Sequence, residues 1–415
     1  MKILLIAFGC NPEQGSESMV GWKATKILSQ KHKVWVLTHV RNQEAITKAQ
    51  KKGDISDDVK FVFAGEIFEW HPNRMVARLQ SWKVYREWLD TVPKLLKTDL
   101  RQEAFDLIHH VTIATWRLAP LLTRQPIPLV WGPMGGSASY PWSLLGMTSL
   151  SGAIFEVSRN ILNIACARTS RFREVCRNAA AIICVNRETK DLVHRTSGRD
   201  SGLFILNAST FSRTEVEEYR QLLKKKDYHG DLKAFVGGIC IGSKGIYFAL
   251  RALRLVRDRG HIIYYTVAST GPELGFLKKK AKELDLSSQV TFHEGFRGNE
   301  YREALRAHQI YLMPSFREGS SISIMESMLA GGVPIVVRAS TPGEIVTPEC
   351  GFAVPVTHSK KIVEGLAQAL IQLTENRELL KRFSHNAHER IAEEFTAERY
   401  LETINHIYRQ VTDRN

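Results

Sequence analysis

Two glutamates with seven residues between them, Glu318 and Glu326, frame the stretch of this 415-residue sequence richest in potential chemistry, PSFREGSSISIMESMLAGGVPIV at 314–336. A β-branched run at 310–315 predicts a strand, so Glu318 falls just beyond its carboxyl end. Gly319, Ser320 and Ser321 then read as a turn, with Glu326 about two helical turns onward from Glu318. Small turn residues let a diphosphate approach the backbone amides at a helix start, where the helix dipole is positive. Glu326, deeper on the helix, can accept from a ribose hydroxyl, and Glu318 at the rim faces a sugar. Spacing alone also describes a capped surface helix.

A second loop with anion chemistry is FGCNPEQGSESMVGW at 8–22, where Gly15 and Ser16 precede a helix beginning near Glu17. It suits a phosphate, or equally a plain turn with an N-capping serine, and it does not match G-x-G-x-x-G. His109 and His110 stand side by side at the end of a run at 105–111. VWGPMGG at 130–136 ends in a turn whose Gly135 and Gly136 bring backbone close to a ligand or simply turn the chain. Six scattered cysteines form no C-x-x-C pair and have no histidine at finger spacing, and no D-x-D pair follows a strand, so no metal is expected.

The elements that must position these residues form two series. Runs at 2–8, 33–40, 59–65, 105–111, 128–133 and 180–186 alternate with helical periodicity, and runs at 234–239, 262–268, 290–296, 310–315 and 334–339 repeat the pattern. Strands alternating with helices imply parallel sheets, hence an α/β chain of two doubly wound, Rossmann-like domains. The domains are expected at 1–207 and 208–385, with a linker at 207–213. A terminal helix over 386–415, with no further strand to follow, is expected to return to the first domain.

The ordered motifs resemble the group 1 (family 4) retaining glycosyltransferases of the GT-B fold. The resemblance runs through KILLIAFGCNPEQGSES, DLIHHVTIATWRLAP, VWGPMGG, SKG at 243–245, STGPE at 269–273, VTFHEGF at 290–296 and the Glu-x7-Glu segment. It implies two such domains facing across a cleft, the second holding a nucleotide-diphosphate sugar. By that resemblance Lys244 contacts the donor diphosphate, with Gly271 and the backbone of Gly319, Ser320, Ser321 and Ile322 around it. Glu326 binds the ribose, Glu318 lies next to the donor sugar, and Gly295 and Phe296 lie beside the base. His109 or His110 lies near the transferred sugar, and Gly135 and Gly136 shape the acceptor pocket. One departure stands out: Ile239 occupies the position where family members commonly carry an arginine that joins the lysine on the diphosphate.

Composition bounds the partners. With 57 basic and 43 acidic residues the net charge is +14, and 44% of residues are hydrophobic, as in a globular protein. Such a charge seeks anions, whether nucleic acid, acidic lipid or phosphorylated small molecules. No nucleic-acid-reading module is present, so nucleic acid is not expected. Basic residues interleaved with aromatics at 74–101, and a comparable stretch at 159–177, suit a helix in a lipid headgroup layer or a solvated face. No run approaches the length of a transmembrane segment, and MKILLIAFG lacks the features of a secretion signal, so Met1 reads as the mature start. The expected protein is therefore cytoplasmic, with peripheral contact to the inner face of the membrane, moving a sugar from a nucleotide-diphosphate donor to a glycan or lipid-linked acceptor in cell-surface polysaccharide or glycolipid synthesis. A nucleotide-sugar 2-epimerase-type isomerase and a catalytically weak, membrane-associated nucleotide-sugar binder are the competing expectations.

Overall fold

The computed structural model describes residues 1–413 apart from Ser16, Trp70, Pro72, Asn73 and Arg297, with no description of the side chains of Arg74, Met75, Val76, Arg78 and Leu79. Among the described residues the strands form two all-parallel sheets. The first contains β1 (Lys2–Ala7), β2 (Lys33–His39), β3 (Lys60–Ala64), β4 (Leu107–Thr112), β5 (Leu129–Met134), β6 (Ala181–Cys184) and β7 (Leu203–Ile205) in the order β3-β2-β1-β4-β5-β6-β7. The second contains β8 (Leu232–Ile239), β9 (Ile263–Thr270), β10 (Val290–His293), β11 (Ile310–Met313), β12 (Val333–Val337) and β13 (Phe352–Val354) in the order β10-β9-β8-β11-β12-β13. Helices cover both faces of such sheets, which is why a central strand like β1 is apolar from its second residue on, with Ile3 to Ala7 fully buried.

In each sheet the strand order reverses once, between β1 and β4 and between β8 and β11. Loops leaving the carboxyl ends of those two pairs diverge to opposite faces of the sheet and leave a crevice, the usual ligand position in open α/β sheets.

Contacts divide the chain into two compact units: Met1–Ser137, Ile164–Thr210 and Ala397–Asn415 in one, Ala138–Asn163 and Phe211–Thr396 in the other. This division departs from boundaries at 207 and 385. Ala138–Asn163 sits between first-sheet strands in sequence but packs into the second unit, where Tyr140 lies edge-on to Phe316 with ring centroids 5.2 Å apart. The Arg377–Glu394 helix also belongs to the second unit, and the switch comes at Ala397. From there the Ala397–Thr412 helix buries Tyr400, Leu401, Ile404, Ile407 and Tyr408 in the core built on Ile3 and Leu5.

The Arg74–Leu95 helix corrects the reading of 74–101 as a lipid-facing segment. Its Tyr85, Trp88, Leu89 and Val92 are buried in the first unit's core, and Trp88 Nε1 donates to Ala64 O at 3.1 Å. The aromatic residues interleaved with basic ones are thus an ordinary core-facing stripe. Among the described residues no helix is long and apolar enough to cross a membrane.

Candidate active site

The second sheet's reversal point is where the two chemistry-rich loops meet. After β8 the chain turns through Gly242–Lys244, and Gly245, with φ +65°, starts the Ile246–Asp258 helix. A Cβ on Gly245 would lie 2.1 Å from the carbonyl oxygen of Pro314, so only glycine lets this loop close on the one that follows β11. Phe316 N donates to Ser243 O at 2.8 Å, and Ser315 Oγ lies 3.1 Å from the same oxygen. The loops are therefore stitched together beneath their functional side chains.

Above that seam Lys244 Nζ lies 2.5 Å from Glu318 Oε1, the two side chains being 15% and 12% exposed. Ser315 Oγ donates to the same carboxylate oxygen at 2.7 Å. Ser340 Oγ accepts from Glu318 N and donates to Glu318 O, fixing the backbone on the other side. An ammonium and a carboxylate this enclosed, yet not sealed, can exchange their mutual contact for an anionic ligand on the lysine and a hydroxyl on the glutamate.

Beneath them lies a buried pair that no sequence pattern pointed to. Arg317 donates through Nη1 and Nη2 to both carboxylate oxygens of Glu156, at 2.6 and 3.1 Å, and through Nη2 to Ser243 Oγ at 3.0 Å. Ser243 N donates to Glu156 Oε1 at 3.2 Å. The residues adjoining Lys244 and Glu318 in sequence are thus held by one bidentate ion pair. A further carboxylate, Glu273 after β9, accepts from Thr148 Oγ1 at 2.8 Å, Ser149 N at 3.0 Å and Ser149 Oγ, clamping the segment ahead of the Leu150–Ala167 helix.

The Ile322–Leu329 helix opens at Ser321, which is in the left-handed region at φ 53° and makes no side-chain cap to the helix. Its side chain is buried, while Ile322 is 37% exposed. Glu326 Oε2 accepts from Tyr301 Oη at 2.8 Å, and burial with this carboxylate alongside holds the Tyr301 hydroxyl well above its usual range. Gly271, with φ +143°, passes so near β8's exit that a Cβ would lie 2.6 Å from Cys240 O. Gly295 and Gly319 have open space where a Cβ would be. Phe296 is half-buried and stacks on Phe235 with centroids 6.2 Å apart. Ile239, at the very end of β8, is 61% exposed.

The first unit treats its expected site residues differently. Gly15 is exposed, and Ser16 lies outside the described residues. His109 and His110 are both fully buried within β4. His109 Nδ1 shares a hydrogen bond with Tyr408 Oη at 2.5 Å and Nε2 shares one with Gly132 O at 2.7 Å, so both ring nitrogens are engaged. His110 Nε2 is 2.8 Å from Tyr85 Oη. Burial pushes His109 down to about 4 and His110 to about 3, keeping both neutral. Gly135 N donates to Ala114 O at 3.0 Å, and Gly136 O accepts from Arg117 Nη2 at 3.0 Å. At Glu17, the first residue of its helix, burial raises the carboxyl to about 7 against a hydrogen bond from the Ala114 backbone.

Residues 222–390, which hold Lys244, Glu318 and Glu326, match the family model of the glycosyl transferases group 1. Over that segment the chain is similar to the group 1 glycosyltransferases. The alpha-D-kanosaminyltransferase of Streptomyces kanamyceticus is 24% identical over 255 residues, 58% of this chain and 62% of that protein. The MMP alpha-(1->4)-mannosyltransferase of Mycolicibacterium hassiacum is 30% identical over 154 residues, 37% of this chain and 36% of that protein. The matches therefore span less than two thirds of these relatives' own lengths. Among solved structures, sucrose-phosphate synthase from Thermosynechococcus elongatus superposes with TM-score 0.68 at 16% identity, covering all of both chains. HepE of Anabaena, in complex with UDP and glucose, superposes with TM-score 0.57 at 15% identity over 98% of each chain. The superpositions and the sheet orders give two Rossmann-like units of the GT-B fold.

Proposed function

We propose that this chain is a retaining glycosyltransferase, moving a sugar from a nucleotide-diphosphate donor to a hydroxyl of a glycan or lipid-linked acceptor in cell-surface polysaccharide or glycolipid synthesis, at an anionic membrane surface. The observation that carries the reading is the Lys244–Glu318 pair at the β8/β11 reversal point, with Glu326 on the helix beyond. Lys244 meets the diphosphate, helped by the backbone of Gly319, Ser320, Ser321 and Ile322 and by Gly271. Glu326 takes the ribose, Gly295 and Phe296 flank the base, and Glu318 takes the sugar. The acceptor oxygen bonds to the anomeric carbon on the face that the diphosphate leaves, the diphosphate oxygen departs with the bonding electrons, and the acceptor proton passes to it. A same-face displacement of this kind asks for no carboxylate nucleophile. What it asks for is charge stabilisation of the leaving diphosphate, which Lys244 and the helix start supply without a divalent ion.

The test is incubation of the protein with labelled nucleotide sugars and lipid or glycan extracts, with and without EDTA. Acceptor-dependent nucleotide release that persists in EDTA is the expected result. Release abolished by EDTA and restored by Mg²⁺ refutes the metal-free clamp, and no transfer to any acceptor refutes the transferase.

A further inference from the structure

The Leu150–Ala167 helix is built inside out. Its buried positions are Gly152, Glu156, Asn160 and Asn163, a polar stripe. Glu156 is paired with Arg317, while Asn160 donates to Tyr140 O at 2.8 Å and accepts from Tyr140 N at 3.1 Å. The opposite face is apolar and open. Leu150 is 79% exposed, Ile154 63%, Ile161 56% and Ile164 47%, at steps of four, seven and three that fall on one side of a helix of 3.6 residues per turn. At 1.5 Å per residue the stripe is about 21 Å long. Leu162 widens it, and Trp142, in the turn ahead, is also more than half exposed.

A soluble surface rarely displays an apolar stripe of this length unless something covers it. Charge says what. The helix has a single acidic residue, Glu156, and that one is buried and neutralised, so nothing negative borders the stripe on its own helix. Arg168 follows directly and is exposed, and Arg173 and Arg177 after it are exposed as well. The nearby acid Glu174 is bridged to Arg124. An apolar face with an aromatic at one end, cations at the other and no exposed acid on its own helix fits the boundary between anionic headgroups and acyl chains. A second copy of a +14 chain would have to approach against its own charge.

We infer that this stripe is the surface by which the protein docks on an anionic bilayer, with Leu150, Ile154, Ile161 and Ile164 entering the headgroup layer. The inference deepens the proposed membrane partner but uses none of the donor-site residues. The test is cosedimentation of the full chain with phosphatidylglycerol vesicles and with phosphatidylcholine vesicles at low and high salt. Binding to phosphatidylglycerol that weakens as salt rises is expected, with little binding to phosphatidylcholine. Ile154→Ser/Ile161→Ser should weaken it about ten- to a hundredfold, from the loss of two inserted side chains. The variant's thermal midpoint and its nucleotide-sugar-induced shift should match those of the unmodified protein, which separates failure here from failure of the proposed activity. Three outcomes overturn the inference: no binding to phosphatidylglycerol at low salt, a variant that binds as well as the unmodified chain, or a dimer in solution that the variant dissociates.

Discussion

Replacing Arg317 by methionine tests whether the buried ion pair beneath the site sets its geometry. Glu156 is fully buried and the Arg317 side chain only 6% exposed, so the substitution strands a carboxylate whose remaining donor from this network is Ser243 N. Leaving one partner of a buried pair uncompensated costs about 3–5 kcal/mol, whereas replacing both by apolar groups of similar volume is near neutral. For a unit of this size 1 kcal/mol moves the midpoint by about 2–4 °C, so Arg317→Met should lower the second unit's melting transition by roughly 6–20 °C. Glu156→Leu/Arg317→Met should recover most of that loss. Activity should not recover with it, because Arg317 also anchors Ser243 Oγ beside Lys244 and adjoins Glu318 in sequence. Calorimetry on both variants, alongside nucleotide release at saturating donor, separates the two effects. If the double variant melts at the sum of the two single-variant losses, the residues are not energetically coupled and the argument fails. If it regains full kcat, the pair is structural only and does not position the site.

Lys244→Ala should reduce kcat/KM by about ten- to a hundredfold or more, the worth of one charge-assisted contact, while Ile239→Arg should raise it, since that exposed side chain sits at the end of β8 where a guanidinium could join the lysine. Unchanged turnover in Lys244→Ala would place the phosphate clamp elsewhere. Folding should also weaken on mild acidification. His109 and His110 ionise near 6.5 when unfolded but at about 4 and about 3 in the fold, so the unfolded chain binds more protons between those values. Their contribution is complete above pH 6.5 and is lost as pH falls toward 4, with His109 alone accounting for roughly 3 kcal/mol. Glu17, raised to about 7, acts in the opposite sense and favours the fold as pH falls from 7 toward 4.5. Denaturant midpoints measured from pH 8 to pH 4 should fall below pH 6.5, and a flat profile would count against buried neutral histidines.

Strands were legible where the chain is apolar on both faces, because continuous β-branched runs admit few other structures. The Glu-x7-Glu segment was legible for a related reason: strand, small-residue turn and helix follow one another within 23 positions of unbroken sequence. The short edge strand β13 escaped, since three residues of Phe352–Val354 before a proline carry no periodicity. The surroundings of the two histidines were not legible, because alternation along a strand tells which residues share a face, not whether that face is covered. In β4 both faces are covered, one by Tyr408 of the terminal helix and the other by Tyr85.

What sequence reasoning could not supply is pairing over long separations. Glu156 and Arg317 lie 161 positions apart, and Thr148 and Glu273 are 125 apart. Yet the helix that bears Glu156 held a signal of its own. A run reading L-S-G-A-I-F-E-V-S-R-N-I-L-N-I has two amphipathic faces, and hydrophobicity alone assigns the leucine and isoleucines to the interior. The polar face contains the residues that can be buried only with specific partners: a carboxylate that needs a guanidinium and an asparagine that needs backbone groups. Once Arg317 and Tyr140 supply those partners, the polar face goes inward and the aliphatic face is left outside. The ion pair that braces the Lys244–Glu318 loops is therefore also what turns the apolar stripe outward. Glu156→Leu/Arg317→Met removes the charges from the buried face, so its vesicle binding, measured beside its activity, reports whether site geometry and membrane docking depend on the same buried contact.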